Sequence, residues 1–165
     1  MTHNELIDTA KRWLQSEHTV VITDMTCGVS ETPDAIGWKS WGSTLIECKT
    51  SLGDFKKDMS KHFRKNPARG MGNYRYFLTP QGLLTKCLLP IDWGLLEVIG
   101  QKIQMIQEAK FQLSDDSNEI KLLLSAIRRI GKINPGGVSV KHYSYTTKNR
   151  ATLGIGDYPM PEEEG

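Results

Sequence analysis

The first predicted element is a helix near the start of the chain, where apolar residues recur at helical spacing. The stripe consists of Leu6, Ile7, Ala10, Trp13 and Leu14. Thr2 is followed three residues later by Glu5, which is the pattern of a capping box at a helix start. The spacing and the cap together predict a helix over residues 3–16.

A strand and a hairpin are predicted next. Residues 19–23 are β-branched and apolar, which favours a strand, and Gly28 and Pro33 interrupt the pattern after it. Residues 34–38 and 43–49 then read as two extended segments around a short turn that ends in glycine. We expect these two segments to pair antiparallel.

A second helix and a strand follow the hairpin. Ser51 can cap the helix, and Pro67 ends it. Its apolar stripe is Leu52, Phe55, Met59 and Phe63. Residues 74–79 have strand composition.

The last part of the chain predicts a hairpin, a helix and a strand. Residues 95–99 and 102–106 flank a Gly-Gln turn, and residues 138–146 alternate loosely as a final strand. Between them a helix follows Asp115, with apolar residues Ile120, Leu123, Leu124, Ile127 and Ile130. The order of elements predicts an α/β or α+β fold, with a mixed central sheet flanked by helices and an extra C-terminal hairpin, helix and strand.

The length and composition are those of one globular domain. With 165 residues we expect a single domain over residues 1–156 and an acidic solvated tail over 157–165. The apolar runs are far shorter than the roughly 18 residues of a membrane span, and the start lacks the basic flank of a signal peptide. Three scattered cysteines favour a reducing compartment, so we expect a cytoplasmic protein without a membrane partner.

Charge is distributed unevenly along the chain. Seven basic residues and one acid, Asp58, lie between Lys56 and Arg75, although the whole chain has 21 basic and 19 acidic residues. Such a stretch predicts either an anion-binding surface or an ordinary solvated helix face.

The hairpin brings two acids together. If its turn is centred between Ser40 and Trp41, Asp34 lies opposite Glu47. Directly opposed side chains have Cβ atoms roughly 4.5–5.5 Å apart, and Lys49 shares the face of Glu47. Two carboxylates this close favour a bound divalent cation.

The ligand types indicate a hard metal ion. Asp34, Glu47 and the carbonyl of Cys48 offer only oxygen, which favours Mg²⁺ or Mn²⁺ over zinc. Lys49 would orient a water or neutralise the charge of a phosphoryl transition state. The alternative is a plain surface ion pair, since an acid followed by Glu-x-Lys also arises by chance.

Two short motifs stand out, Pro33-Asp34 and Glu47-Cys48-Lys49, within the order helix, strand, hairpin, helix and strand. Over residues 3–80 this combination resembles the core of the PD-(D/E)XK nuclease superfamily. The resemblance implies a restriction-endonuclease-like fold and Mg²⁺-dependent hydrolysis of DNA. It implies that Asp34 and Glu47 bind the metal and that Lys49 is the catalytic lysine. Some members add a glutamate from the first helix, for which Glu5 is the nearest match.

The basic stretch supplies candidate phosphate contacts. These are Ser51, Lys56, Lys57, Lys61, Arg64, Lys65, Arg69 and Arg75. For Ser51 the competing role is the helix cap. The loop of residues 69–73 could embrace a nucleic-acid backbone or simply lead into the next strand.

Three functions therefore remain open. The first is a metal-dependent DNA endonuclease or nickase, acting alone or as a homodimer, of the kind found in phage, mobile-element, repair or defence systems. The second is a non-catalytic nucleic-acid-binding or protein-interaction module on the same scaffold. The third is a hydrolase of nucleotides or RNA with the same metal chemistry.

Overall fold

Seven strands form one mixed sheet in this computed structural model, which describes residues 1–130 and 138–140. The strands are β1 (Val20–Thr23), β2 (Ala35–Lys39), β3 (Gly42–Cys48), β4 (Tyr74–Pro80), β5 (Gly94–Ile99), β6 (Lys102–Gln107) and β7 (Val138–Val140). Their order across the sheet is β6-β5-β4-β3-β2-β1-β7. The three adjacent strands β3, β4 and β5 run parallel, and every other pair is antiparallel. The mixed sheet flanked by helices is confirmed.

Helices cover both faces of the sheet. They are α1 (His3–Glu17), α2 (Leu52–Met59), α3 (His62–Lys65) and α4 (Asp116–Ile130). Residues 67–69 and 86–88 form single 3₁₀ turns. Alternate residues of a strand point to opposite faces, so Ile46 packs under α1 and Leu45 packs on the face that α4 covers.

The first helix and the hairpin form as the sequence predicts. The capping box of Thr2 and Glu5 is present, and the stripe of α1 is buried except at Trp13, which is partly buried. In the hairpin Trp38 pairs with Ser43 and Ile36 pairs with Leu45, which is the predicted register.

The predicted second helix is broken into two. Ser60 caps the end of α2, where its N–H donates to carbonyls of the last turn and its hydroxyl donates to the Lys57 carbonyl, and the chain becomes extended at Lys61. Phe63 and Arg64 consequently belong to the short helix α3, which turns both side chains inward. The prediction of one continuous helix with an apolar stripe from Leu52 to Phe63 was therefore wrong.

The helix after Asp115 is confirmed, but its buried face differs from the predicted stripe. Leu122 and Ala126 are buried, whereas Ile120, Leu124 and Ile127 are exposed. Glu119 sets this rotation, because it accepts hydrogen bonds from Trp38 Nε1 at 2.8 Å, Ser43 Oγ at 2.9 Å and the Gly72 N–H at 2.8 Å.

The remaining predictions concern the end of the chain. The final strand is described only at residues 138–140, where β7 pairs with β1. The rest of the predicted strand and the acidic tail at 157–165 lie outside the described residues. Within the described part, no helix is both long and apolar enough to cross a bilayer.

Candidate active site

The two motif acids meet where the hairpin strands end. Asp34 precedes β2, and the next ladder pair is Ala35 with Ile46, so the register places Asp34 opposite Glu47. Asp34 Oδ2 accepts a hydrogen bond of 2.7 Å from the Cys48 N–H. The Cys48 side chain lies in the core beneath α1, and burial raises the pKa of its thiol. Cys48 can therefore offer the site only its main chain.

Lys49 lies between two carboxylates in the interior. Its Nζ is 3.0 Å from Glu47 Oε2 and 3.5 Å from Asp58 Oδ1, and its side chain is 7% exposed. Burial acts to lower the pKa of Lys49, but the charges of Glu47, Asp58 and Asp34 outweigh burial and raise it. Lys49 is therefore a charged ammonium at neutral pH and a donor rather than a base.

The ionised form of Asp34 is disfavoured by its surroundings. Burial, and next the nearby charge of Glu47, raise the pKa of Asp34 to about 6, against the opposing effect of Lys49. His3 Nε2 lies 3.3 Å from Asp34 Oδ1. An added positive charge beside Asp34 would favour its ionised form.

Arg64 is buried, so the prediction that it contacts phosphate was wrong. Its side chain is 1% exposed, so it cannot lie on a solvent-facing binding surface. Its guanidinium contacts Glu31, Glu47 at 2.8 Å and Asp58 at 2.7 Å. Three carboxylates and the break at Ser60 explain why this cation turns inward.

Arg75 is a second correction, for a different reason. It is 1% exposed, and its guanidinium donates to the carbonyls of Gly72, Pro67, Gly70 and Leu113 at 2.7–3.0 Å. The alternation of β4 directs it into the interior, where it closes the turn before the strand. It is a structural clamp and not a phosphate contact.

The loop of residues 69–73 is held from both sides. Glu31 accepts a hydrogen bond of 2.6 Å from the Met71 N–H, and Glu119 accepts one from the Gly72 N–H. Gly72 has φ +87, and a Cβ there would lie 2.5 Å from the Leu45 Cβ. The glycine allows close packing on β3, which favours the plain-loop interpretation over a clamp on nucleic acid.

The other predicted phosphate contacts remain on the surface. Lys56, Lys57, Lys61, Lys65 and Arg69 are exposed. Lys61 is partly committed, because its Nζ lies 2.6 Å from Asp58 Oδ1. Ser51 is exposed and accepts a hydrogen bond from the Asp54 N–H, so it acts as the cap of α2.

Glu5 is not brought to the motif acids by any contact that the structure shows. Its carboxylate accepts a hydrogen bond of 2.7 Å from the Thr2 N–H, and this bond lowers the pKa of the exposed group. The residue of α1 that does reach Asp34 is His3. The helix-capping role predicted for Glu5 is the one observed.

The residues present fit a hard divalent cation in part. Glu47 Oε1 is buried and lacks an aligned hydrogen bond, although Arg64 Nη2 lies 2.8 Å away. Together with Asp34 it offers two carboxylates, and Mg²⁺ commonly uses one or two with several waters. Within residues 1–130 and 138–140, no three His, Cys, Asp or Glu side chains converge as a complete metal site.

Three residues of this cluster were missed from the sequence: His3, Glu31 and Asp58. Asp58 left a signal, as the one acid within the basic stretch. Glu31 left none, since its role depends on the distant Arg64 and Met71.

Comparison with known proteins bears on the fold alone. No protein-family model matches this chain, and no curated protein does. A solved structure, the SPO1766 protein of unknown function from Silicibacter pomeroyi, is similar with a TM-score of 0.61 and 19% identity, over 88% of this chain and 98% of that one. The α+β arrangement of the chain is therefore shared with a known structure.

Proposed function

We propose that this protein is a metal-dependent nuclease that hydrolyses DNA phosphodiester bonds. The observation that carries the proposal is the strand register, which opposes Asp34 to Glu47 beside the buried ammonium of Lys49. The resemblance of Pro33-Asp34 and Glu47-Cys48-Lys49 to the PD-(D/E)XK motif supports the same activity. The proposed cofactor is Mg²⁺ or Mn²⁺, held by Asp34, Glu47 and the Cys48 carbonyl.

The chain's own groups suggest a division of labour. If Mg²⁺ or Mn²⁺ is held there, it would lower the pKa of a water and polarise the phosphate. Asp34 is held in place by the Cys48 N–H, so its remaining oxygen is directed by the main chain. Lys49 is protonated, and its ammonium would neutralise charge that develops on the phosphoryl oxygens. Of its two candidate roles, charge neutralisation fits better than abstraction of a proton.

DNA is the proposed substrate because cations surround the helices next to the site. Lys56, Lys57, Lys65 and Arg69 are exposed on the segment that links β3 to β4. Exposed lysines and arginines bind the phosphate backbone with little sequence preference and strong salt dependence. We propose a cytoplasmic location, which the three free thiols support.

A non-catalytic binding module is the second candidate, and one observation favours it. Both oxygens of Glu47 already face cations of the chain, with Lys49 at Oε2 and Arg64 at Oε1. In that case the acids and Lys49 would be a structural ion cluster, and only the surface cations would contact DNA.

The test is incubation of the purified protein with supercoiled plasmid in Mg²⁺, Mn²⁺ or EDTA. We expect metal-dependent conversion to open circle, or to linear DNA if two copies act together. Asp34→Ala and Lys49→Ala should abolish the conversion. Matched controls are Asp8→Ala and Lys86→Ala, which alter an exposed acid and an exposed lysine elsewhere.

The same gel separates the candidates. Absence of cleavage, with a salt-sensitive DNA shift that is unchanged in Lys49→Ala, would establish the binding module. Cleavage that RNA outcompetes would replace DNA as the substrate with RNA.

A further inference from the structure

An ion pair lies directly behind the two central motif residues. Arg64 Nε donates a hydrogen bond of 2.7 Å to Asp58 Oδ2, and the two side chains are 1% and 2% exposed. Asp58 is in α2 and Arg64 in α3, on either side of the break at Ser60. The break between the two helices allows the carboxylate of one to lie against the guanidinium of the other.

Each partner of this pair contacts one motif residue. Arg64 Nη2 lies 2.8 Å from Glu47 Oε1, and Asp58 Oδ1 lies 3.5 Å from Lys49 Nζ. Glu47 and Lys49 also contact each other at 3.0 Å. The four groups thus form a closed ring of alternating charge, and Asp58 Oδ1 also lies 2.6 Å from the Nζ of Lys61, outside the ring.

The arginine is itself fixed in place. Its guanidinium also forms an ion pair with Glu31. The guanidinium carbon lies 4.7 Å from the ring centre of Trp93 and 4.9 Å from that of Phe63. The planar fork of arginine serves three carboxylates at once, whereas a lysine offers a single point charge. Arg64 is therefore a rigid support and not a mobile counter-ion.

The burial of so many charges is not explained by stability alone. Desolvation of a buried ion pair commonly costs as much as the attraction returns, and apolar residues would fill the same space without that cost. What the charged arrangement provides is a defined orientation for Glu47 and Lys49.

We propose that Asp58 and Arg64 are positioning residues for the nuclease site, with Arg64 orienting Glu47 for the metal and Asp58 orienting Lys49 for the phosphate. This inference rests on the proposed function and deepens it. Arg64 acts on metal affinity through Glu47. Asp58 acts on turnover through Lys49. Support of a metal ligand from behind is commonly worth 10–100-fold in metal affinity or activity.

The first test uses metal binding without DNA. The melting temperature of the protein is followed against Mg²⁺ concentration for wild type, Arg64→Lys and Arg75→Lys. Arg75 is the matched control, since it is a second buried arginine, and its hydrogen-bond partners are carbonyls. We expect both variants to melt lower in EDTA, and only Arg64→Lys to need about tenfold more Mg²⁺ for half of the Mg²⁺-induced shift.

The second test uses turnover at saturating Mg²⁺. Asp58→Asn should lower kcat about tenfold while leaving the Mg²⁺ midpoint near that of wild type, and Asp58→Glu should restore part of kcat. Asp58→Asn keeps an oxygen for Arg64, so it also serves if Arg64→Lys fails to fold.

Two failures can be told apart. If wild type responds to Mg²⁺ and cleaves DNA, but Arg64→Lys has the Mg²⁺ midpoint of Arg75→Lys and Asp58→Asn has wild-type kcat, the positioning role is overturned and the nuclease stands. If wild type neither responds to Mg²⁺ nor cleaves DNA, the nuclease and the positioning role are overturned together.

Discussion

Two buried arginines, Arg64 and Arg75, lie in regions that compensate a buried positive charge with different kinds of group. Around Arg64 the compensating groups are the carboxylates Glu31, Glu47 and Asp58. Around Arg75 they are main-chain carbonyls of the turn before β4 and of the segment before α4. The first region surrounds its arginine with carboxylates, whereas the hydrogen-bond partners of Arg75 are neutral carbonyls, and the carboxylates Glu31 and Glu119 act on it only from a distance.

The difference shows in how each arginine is affected by its surroundings. For Arg64, the neighbouring carboxylates outweigh burial, and its pKa lies above the ordinary value. For Arg75, burial dominates, and its pKa lies below the ordinary value. We therefore expect the carboxylate-lined site to respond to pH and, if the proposed function holds, to metal, whereas the carbonyl-lined site should act as a structural clamp.

The largest expected effect is on stability when either arginine is removed. Arg64→Met leaves three buried carboxylates without their shared cation and should lower the free energy of unfolding by about 3–5 kcal/mol at pH 8. Arg75→Met leaves several carbonyls unsatisfied, at about 1–3 kcal/mol for each group that water cannot reach. Urea unfolding at pH 8 measures both.

The pH dependence separates the two variants. Burial raises the pKa of Glu31 and Arg64 opposes that rise, so without Arg64 the folded protein should bind a proton at Glu31 more readily, and the loss in Arg64→Met should shrink as pH falls from 8 to 5. The loss in Arg75→Met should stay constant over that range. Parallel curves for the two variants would show that the regions do not differ as described.

A smaller effect of opposite sign is expected at Asp34. Its pKa of about 6 lies above the ordinary 3.8, so the folded protein loses stability as pH rises through this interval and Asp34 ionises. Asp34→Asn keeps an acceptor for the Cys48 N–H and removes the charge. It should raise the free energy of unfolding by about 1–3 kcal/mol above pH 7 and have little effect at pH 4.

The check is urea unfolding of Asp34→Asn and wild type at pH 4, 6 and 8, in EDTA and in Mg²⁺. Because Mg²⁺ would stabilise the ionised wild type, the gap at pH 8 should narrow when the metal is added. A variant that is less stable than wild type at pH 8 would mean that Asp34 is already compensated in the folded protein.

The smallest effects are expected at the exposed cations. Lys57→Ala and Lys65→Ala should each weaken DNA binding by about 1 kcal/mol or less and reduce the salt slope by about one ion. Neither should change unfolding. Arg75→Lys is the buried counterpart and should leave the salt slope unchanged. Fluorescence anisotropy with labelled duplex DNA at several salt concentrations measures this.

Local signals made much of the fold predictable. The capping box and stripe gave α1, and the alternation around the turn at Ser40 and Trp41 gave the hairpin register and hence the opposition of Asp34 and Glu47. These features depend on residues close together in the chain, where spacing translates directly into geometry.

Long-range contacts account for what was missed. A count of charges cannot distinguish an exposed lysine from the buried Arg64. The Arg64 side chain turns inward because it forms an ion pair with Glu31, which lies much earlier in the chain. In the same way Glu119 rotates α4 through contacts with Trp38 and Gly72, so the most apolar face is not the buried one. Both depend on partners that only the folded chain brings together.

The nuclease assignment is tested most directly by measuring cleavage and affinity on the same DNA. A labelled duplex is incubated with wild type, Lys49→Met and the control Lys86→Met, with cleavage followed in Mg²⁺ and affinity in EDTA. We predict that Lys49→Met loses at least about 100-fold in cleavage rate and keeps its affinity, whereas Lys86→Met matches wild type in both. Equal cleavage by wild type and Lys49→Met, or no metal-dependent cleavage by wild type, would contradict the account.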